Sequence, residues 1–258
     1  MILYHASSSY YSMIARLALL EANVQFESHR LDIHFAKQQL APWYVAINPA
    51  MTVPTLSDGK TVWTDSRDIL AFARDSAGAC WADSDPPFGE AVEDIVNQHY
   101  AIEIEKLTFG TAFLSKPMLR VAFLHFLQTI VRKLSRSLPT AENRAAVSNK
   151  IIVNEERLAF FSASDLAQRV EEQRQRVVSL VKALSPGSKL MLFGDRISSA
   201  DIVVGVLLAR LKMIGLYEQT VGSNAPLRGW YSRYRLRIAT QEADLWERFQ
   251  PLRIILRR

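Results

Sequence analysis

The chain has 258 residues, of which 49% are hydrophobic and 22% are charged, and this composition permits a sizeable folded core. A single cysteine, Cys80, excludes an internal disulfide and a cysteine-based metal cluster, and no apolar run reaches the ~18 residues of a membrane-spanning helix. The opening "MILYHASSS" lacks the basic start and apolar stretch of a signal peptide, so we expect a cytoplasmic protein without a membrane span.

The net charge of +5 is concentrated near the end of the chain. Residues 226–258 contain eight arginines against three acidic residues. We interpret this segment as a solvated basic face. Contact with nucleic acid or an anionic surface is the less favoured alternative, because no nucleic-acid-binding motif accompanies the charge.

Residues 1–77 predict a small α/β domain. The strand "MILYHA" precedes the helical pattern "SYYSMIARLALLEANV", and a weak strand, "QFESHRLDI", leads into an irregular helix broken by two prolines. The segments "VPTLS" and "KTVWTD" flank Asp58-Gly59, a strong signal for a hairpin, and "SRDILAFARDSA" is again helical. The predicted order is therefore β-α-β-α-β-β-α.

Residues 78–90 combine two glycines with a proline pair, which predicts a linker with Cys80 as an inert, packed thiol. Residues 91–258 predict an all-helical domain, with one continuous helix over 91–114 and either a helix pair or a long loop over 139–165. The most apolar helix starts within "ISSADI", where Ser198 followed three residues later by Asp201 predicts a capping box.

Three segments carry residues suited to binding a ligand. A serine in "SSSYYS", residues 7–12, either caps the first helix or donates its hydroxyl to an anion at the helix N-terminus. Pro54 cannot donate to a sheet, which is explained by a cis peptide bond that turns a backbone edge at Val53 toward an extended peptide ligand. Asp65 and Ser66 either cap the next helix or hold the charged end of that ligand.

In order and spacing, these segments resemble the glutathione S-transferase superfamily. "NPAMTVPTL" followed by "TDS" is similar to N-P-x-G-x-V-P-x-L followed by E-S or D-S, and "GDRISSADI" is similar to G-D-x-x-S-x-A-D-I. The resemblance implies a thioredoxin-like N-terminal domain, an all-α C-terminal domain, glutathione as co-substrate and a homodimer. It also implies that Val53 and a cis Pro54 bind the glutathione backbone, while Asp65 and Ser66 hold its γ-glutamyl end.

The catalytic position is ambiguous between Ser9 and Ser12. "SYYSMIARLALLE" resembles the family's S-P-Y-S-x-x-V-R-L-A-L-L-E, with Tyr10 in place of proline. Ser9 fits the usual slot of the serine-type members. Ser12 fits the serine of the bacterial β-aryl etherases, to which the chain is also similar, as it is to the ganglioside-induced differentiation-associated proteins. Met51 stands where the family usually has glycine, so the turn before Val53 is expected to be altered.

A pocket for the second substrate is expected where the helical domain faces these serines. Its candidate lining residues are Tyr11, Phe109, Phe113 and Met118. The alternative interpretation is that these side chains only pack in the core of their domains.

The favoured function is a glutathione transferase, in which a serine hydroxyl stabilises the thiolate that attacks an electrophile, with an aromatic ether as one version of the substrate. Lowering a thiol pKa by ~2 units requires ~2.7 kcal/mol, and one hydroxyl bond to an anion supplies roughly 1.5–3 kcal/mol. No metal is required. The alternative is a non-catalytic transferase-like protein that binds a ligand or partner.

Overall fold

The computed structural model describes residues 1–83, 88–137, 139, 141, 143–187 and 189–255. Within residues 1–77 the elements follow the predicted order: β1 (Ile2–His5), α1 (Tyr10–Glu21), β2 (Glu27–Arg30), α2 (Pro42–Val45), β3 (Thr55–Ser57), β4 (Val62–Trp63) and α3 (Ser66–Ala77).

The four strands form one mixed sheet in the order β2-β1-β3-β4. Strand β1 pairs parallel with β2 and antiparallel with β3, with Leu3 opposite Leu56 in the β1–β3 register. The predicted hairpin joins β3 to β4, and its turn places Gly59 at a φ of 90°, a backbone conformation that glycine adopts without a side-chain clash. The carboxylate of Asp58 accepts hydrogen bonds from the backbone N–H groups of Lys60 and Thr61 at 2.8 and 2.7 Å, which fixes the turn.

The rest of the described chain is helical, as predicted. Its helices are α4 (Gly89–Tyr100), α5 (Ile104–Ser115), α6 (Pro117–Ser135), α7 (Arg144–Ser162), α8 (Leu166–Ala183), α9 (Ser199–Met213), α10 (Tyr217–Val221), α11 (Ala225–Tyr234), α12 (Ile238–Glu242) and α13 (Pro251–Ile255). No helix in these ranges is both long enough and apolar enough to cross a membrane.

Two details of this half differ from or extend the sequence prediction. The prediction of one continuous helix over 91–114 is wrong. Helix α4 ends at Tyr100 and α5 begins at Ile104. The helix is interrupted because the backbone N–H of Glu103 donates to the side chain of Gln173 at 2.9 Å instead of to a helical carbonyl. Of the two alternatives left open for 139–165, the structure has the helix pair, with α6 and α7 packed side by side.

The predicted linker, residues 78–90, begins with a short 3₁₀ turn over Gly78–Cys80. Cys80 is exposed, so its prediction as a packed thiol is wrong, because this turn runs over the surface. Residues 84–87 lie outside the described residues. The placement of a domain boundary within this segment stays a prediction.

Helix α9 is the centre of the helical half, and its start is held by the predicted capping box. The fully buried carboxylate of Asp201 accepts hydrogen bonds from the N–H and hydroxyl of Ser198 at 2.9 and 2.6 Å, and from the N–H of Leu192 at 2.8 Å. Nearly all of α9 is buried in one apolar cluster that also includes α1, α3 and the sheet. The two halves of the chain therefore pack against each other through α1 and α9, which fixes the position of the start of α1.

The basic segment near the end of the chain makes internal contacts. Arg237 forms two hydrogen bonds with the buried carboxylate of Glu21 at 2.8 and 2.6 Å, and Arg235 pairs with Glu247 at 2.8 Å. Both contacts agree with a structural role for these charges.

Candidate functional site

The start of α1 separates the two candidate serines. Ser9 is the N-cap of the helix: it is half-buried, its hydroxyl oxygen accepts the N–H of Ser12 at 3.3 Å, and it borders a cleft. Ser12 is fully buried, and its hydroxyl oxygen accepts the N–H of Ala6 at 3.4 Å beneath β1. The structure therefore brings Ser9 to the cleft and keeps Ser12 away from any ligand, so a catalytic position at Ser12 is not supported.

The segment before β3 forms another side of the same cleft. The peptide bond between Val53 and Pro54 is cis, as predicted. The buried side chain of Asn48 holds this segment by donating to the carbonyl of Thr52 at 3.0 Å and to the hydroxyl of Thr55 at 2.8 Å. Within the described residues, the N–H and carbonyl of Val53 have no hydrogen-bond partner. A loop held by these hydrogen bonds thus presents one unpaired backbone edge.

The loop accommodates Met51, which stands where the family pattern has glycine, without a change in the turn. Its φ is 55°, in the left-handed region where glycine is favoured, and its side chain is 2% exposed. That side chain packs with Ile130 and Leu134 of α6. The turn keeps the backbone conformation suited to glycine while the methionine side chain anchors the helical half onto the loop.

The acid–serine pair lies at the tip of α3, outside the lining of the cleft. Asp65 is exposed and caps α3 by accepting the N–H of Arg67 at 2.7 Å. Ser66 is 3% exposed, and its hydroxyl is hydrogen-bonded to the hydroxyl of Tyr100 at 3.1 Å. The ring of Tyr100 is nearly parallel to that of Tyr11, with ring centres 6.4 Å apart. Tyr11 lines the cleft, and its ring contact with Tyr100 links the cleft to Ser66 at the start of α3.

The cleft has a volume of about 260 Å³ and an aromatic wall. Of the predicted pocket residues, Tyr11 and Phe109 line it, together with Phe123 from α6. Phe113 is buried behind Phe109, with ring centres 5.9 Å apart, and does not reach the cleft. The prediction of Met118 is wrong: this residue is 80% exposed, because it lies five positions before Phe123 and so points away from that face of α6.

Behind the serines lies a buried polar network. The hydroxyl of Tyr10 is 2.6 Å from Nε2 of His99, and the guanidinium of Arg210 lies over the Tyr10 ring and donates to the carbonyl of Ser8 at 3.1 Å. Burial raises the pKa of Tyr10 and lowers the pKa of His99 to about 3, so both side chains are neutral at physiological pH. The network ties the serine loop to α4 and α9 without supplying a general base.

Comparison with known proteins shows which proteins this chain is similar to. The model of the glutathione S-transferase N-terminal domain matches residues 8–76. The chain is 26% identical to the tetrachloro-p-hydroquinone reductive dehalogenase of Sphingobium chlorophenolicum over 93% of its own length and 94% of that protein. Residues 8–76 therefore form a glutathione S-transferase N-terminal domain, and the chain is similar to this dehalogenase over nearly its whole length. Glutathione S-transferase D6 of Drosophila melanogaster is 31% identical over a shorter stretch, which covers 46% of this chain and 54% of that protein.

Solved structures of similar proteins share the fold of this chain. The β-etherase LigF from Sphingobium sp. strain SYK-6 aligns with a TM-score of 0.66 at 20% identity, covering 94% of this chain and 97% of LigF. A family member from Pseudomonas fluorescens, solved with two glutathione molecules bound, aligns with a TM-score of 0.62 at 15% identity, covering 95% of this chain and 92% of that one. The predicted fold class, a thioredoxin-like α/β domain followed by a helical domain, is confirmed.

The glutathione transferase pattern did not identify a set of polar and charged residues that also line the cleft. They are Glu105 of α5, Lys150, Asn154 and Arg157 of α7, and Arg210 of α9. Arg157 is paired with Glu105 and donates to the amide oxygen of Asn154 at 3.0 Å. The spacing of the α7 residues, at i, i+4 and i+7, was the available signal, because it places all three on one face of a helix.

Proposed function

We propose that this protein is a glutathione transferase that uses Ser9 to activate glutathione for attack on an aromatic electrophile. The observation that carries the proposal is the placement of the Ser9 hydroxyl and the unpaired backbone edge of Val53 around one cleft. An extended tripeptide that pairs its backbone with Val53 then has its sulfur within reach of the start of α1.

The hydroxyl of Ser9 is free to donate to that sulfur. A serine hydroxyl has one donor hydrogen and two acceptor lone pairs, and only an acceptor position is used by the N–H of Ser12. Donation to a thiolate supplies roughly 1.5–3 kcal/mol, and the helix N-terminus adds ~0.3–1 kcal/mol. Together these match the ~2.7 kcal/mol needed to lower a thiol pKa from ~8.5 by ~2 units.

In the proposed reaction the thiolate attacks an electron-poor aromatic or benzylic carbon. A sulfur–carbon bond forms, and the leaving group, such as an aryloxide or a halide, departs with the bonding electron pair. Phe109 and Phe123, which stack on each other with ring centres 4.7 Å apart, give the cleft an aromatic wall against which the electrophile can pack. The names of a dehalogenase and a β-etherase among the similar proteins support an aromatic substrate.

We propose two further roles from the family pattern. Asp65 and Ser66 hold the γ-glutamyl end of glutathione at the N-terminus of α3, where exposed N–H groups favour a carboxylate. Because the Ser66 hydroxyl is bonded to Tyr100, the backbone N–H of Ser66 is the group we expect to make this contact. A cytoplasmic homodimer is the expected context of the reaction.

The test combines retention on immobilised glutathione with turnover of 1-chloro-2,4-dinitrobenzene. Ser9→Gly removes the hydroxyl but keeps a residue that still caps helices well, so the fold should persist. We expect kcat/KM to fall about 10- to 100-fold and the ultraviolet absorbance of the bound thiolate to disappear. Ser12→Ala is the matched control and should retain both.

The non-catalytic alternative makes a different prediction in the same experiment. Tyr10, which stands beside Ser9 where the family pattern has a proline, favours this alternative. Retention on glutathione without turnover of any aromatic electrophile would support that alternative. Unchanged rate and thiolate absorbance in Ser9→Gly would refute the role of Ser9.

A further inference from the structure

Lys150 is a cation in the cleft that the proposed reaction does not use. Its ammonium group donates to the backbone carbonyl of Met51 at 2.9 Å, and in the described part of the chain no carboxylate forms an ion pair with it. An ammonium carries three donor hydrogens, so two remain for a ligand. The nearby carboxylate of Glu105 is already paired with Arg157.

The charges that line the cleft do not balance. Its lining contains Lys150, Arg157 and Arg210 but Glu105 as the single carboxylate among the described residues. Burial and the neighbouring Arg157 lower the pKa of Lys150 to about 8, which leaves the ammonium mostly charged near neutral pH. Holding such a charge away from water is unfavourable unless an anion accompanies it.

The position of this cation relative to the aromatic wall indicates what carries the anion. The guanidinium of Arg157 lies over the Phe123 ring, and Phe126 and Ile130, which follow on the same face of α6, line the cleft with Lys150. With a rise of about 1.5 Å per residue, Lys150 and Arg157 are separated by about 10 Å along α7. A flat aromatic molecule that packs against α6 in the cleft therefore has Lys150 and Arg157 of α7 beside its edge.

We propose that the electrophilic substrate is an aromatic acid whose carboxylate binds the ammonium group of Lys150 while its ring packs on the wall formed by Phe109, Phe123 and Phe126. This inference rests on the proposed transferase function and names its substrate class. A carboxylate is also present at the glycyl end of glutathione, so the experiment must distinguish the two sources.

Two electrophiles that differ in charge but hardly in shape provide the test. 4-Chloro-3-nitrobenzoate carries the carboxylate, and 4-chloro-3-nitrobenzamide replaces it with a neutral amide. The variant Lys150→Met removes the charge while keeping the length of the side chain. Lys133→Met, at an exposed position of α6, is the matched control.

For Lys150→Met we expect KM for the benzoate to rise about 10- to 100-fold, because a hydrogen bond between charged groups is lost. KM for the benzamide and for glutathione should stay unchanged, as should all values for Lys133→Met. Equal effects on benzoate and benzamide would overturn the proposal. A rise confined to glutathione, and absent with its glycyl ethyl ester, would assign the carboxylate to glutathione and would also overturn it.

Direct binding separates this proposal from the transferase activity. If the wild-type protein turns over neither electrophile, calorimetric titration with the benzoate and the benzamide still measures the anion site. Tighter binding of the benzoate that disappears in Lys150→Met would support the site even though the reaction had been misidentified. Lys150→Arg keeps the charge and should restore part of the preference, which a merely structural role would not do.

Discussion

The buried pair formed by Tyr10 and His99 predicts a measurable loss of stability in mild acid. His99 is 3% exposed, its Nε2 is hydrogen-bonded to Tyr10, and its Nδ1 has no partner among the described residues. Burial lowers its pKa to about 3 from an ordinary value of 6.5. The unfolded chain therefore binds a proton at this residue between pH 6.5 and 3, whereas the folded protein does not.

The sign and size of the effect follow from proton linkage. His99 contributes full stability above pH 6.5, and that contribution is lost as the pH falls toward the folded pKa. Each pH unit inside this window costs about 1.4 kcal/mol, so the change from pH 7 to pH 5 costs about 2 kcal/mol from this residue. His5, whose pKa is also lowered to about 3, adds a parallel loss, and Asp201, whose pKa is raised to about 6, opposes it.

A comparison of variants isolates His99 from the other titrating groups. Urea unfolding at pH 7 and pH 5 gives the free energy of unfolding for wild type, His99→Gln and His125→Gln, the last removing an exposed imidazole from α6. We expect His99→Gln to lose about 2 kcal/mol less than wild type between the two pH values. Parallel losses in wild type and His99→Gln would refute the neutral, buried state of this histidine.

Two further predictions concern the core. Asp201→Ala should lower the free energy of unfolding by about 3 kcal/mol or more, because three buried donors lose their acceptor. Asp195→Ala, at an exposed position just before α9, should change the free energy of unfolding little. Urea titration measures both variants. Gly205→Ala places a Cβ 2.3 Å from the ring of Tyr234, so it should destabilise the protein by about 1–3 kcal/mol and lower the thermal midpoint measured by circular dichroism.

The parts of the fold that the sequence predicted are those with local signals. The Asp58-Gly59 turn and the capping box at Ser198 involve residues within a few positions of each other, so spacing alone determines them. The break between α4 and α5 depends on Gln173, 70 positions along the chain, and no local pattern contains that contact. The sequence does not distinguish α7 from a loop, because its cleft-facing polar residues interrupt the apolar period that marks a helix.

The site was predictable as a set of residues but not as a geometry. The sequence motif contains both Ser9 and Ser12, and every residue from Ser12 to Leu19 is buried, so hydrophobic periodicity does not show which serine faces the core. Asp65 and Ser66 were found by their spacing from Pro54, but the hydroxyl contact of Ser66 with Tyr100 depends on the packing of α3 against α4. Roles that depend on the direction in which a side chain points could be determined only from the structure.

Met51, which stands where the family pattern has glycine, is linked to Lys150 by a hydrogen bond. A glycine at position 51 would adopt the same φ without strain, but it would lack the side chain that packs with Ile130 and Leu134 and so holds α6 against the loop. The backbone carbonyl of Met51 in turn accepts the hydrogen bond that fixes Lys150. Because the loop that presents Val53 also accepts the hydrogen bond of Lys150, we expect a change in how α6 and α7 pack on Met51 to alter both the proposed glutathione edge and the proposed carboxylate site.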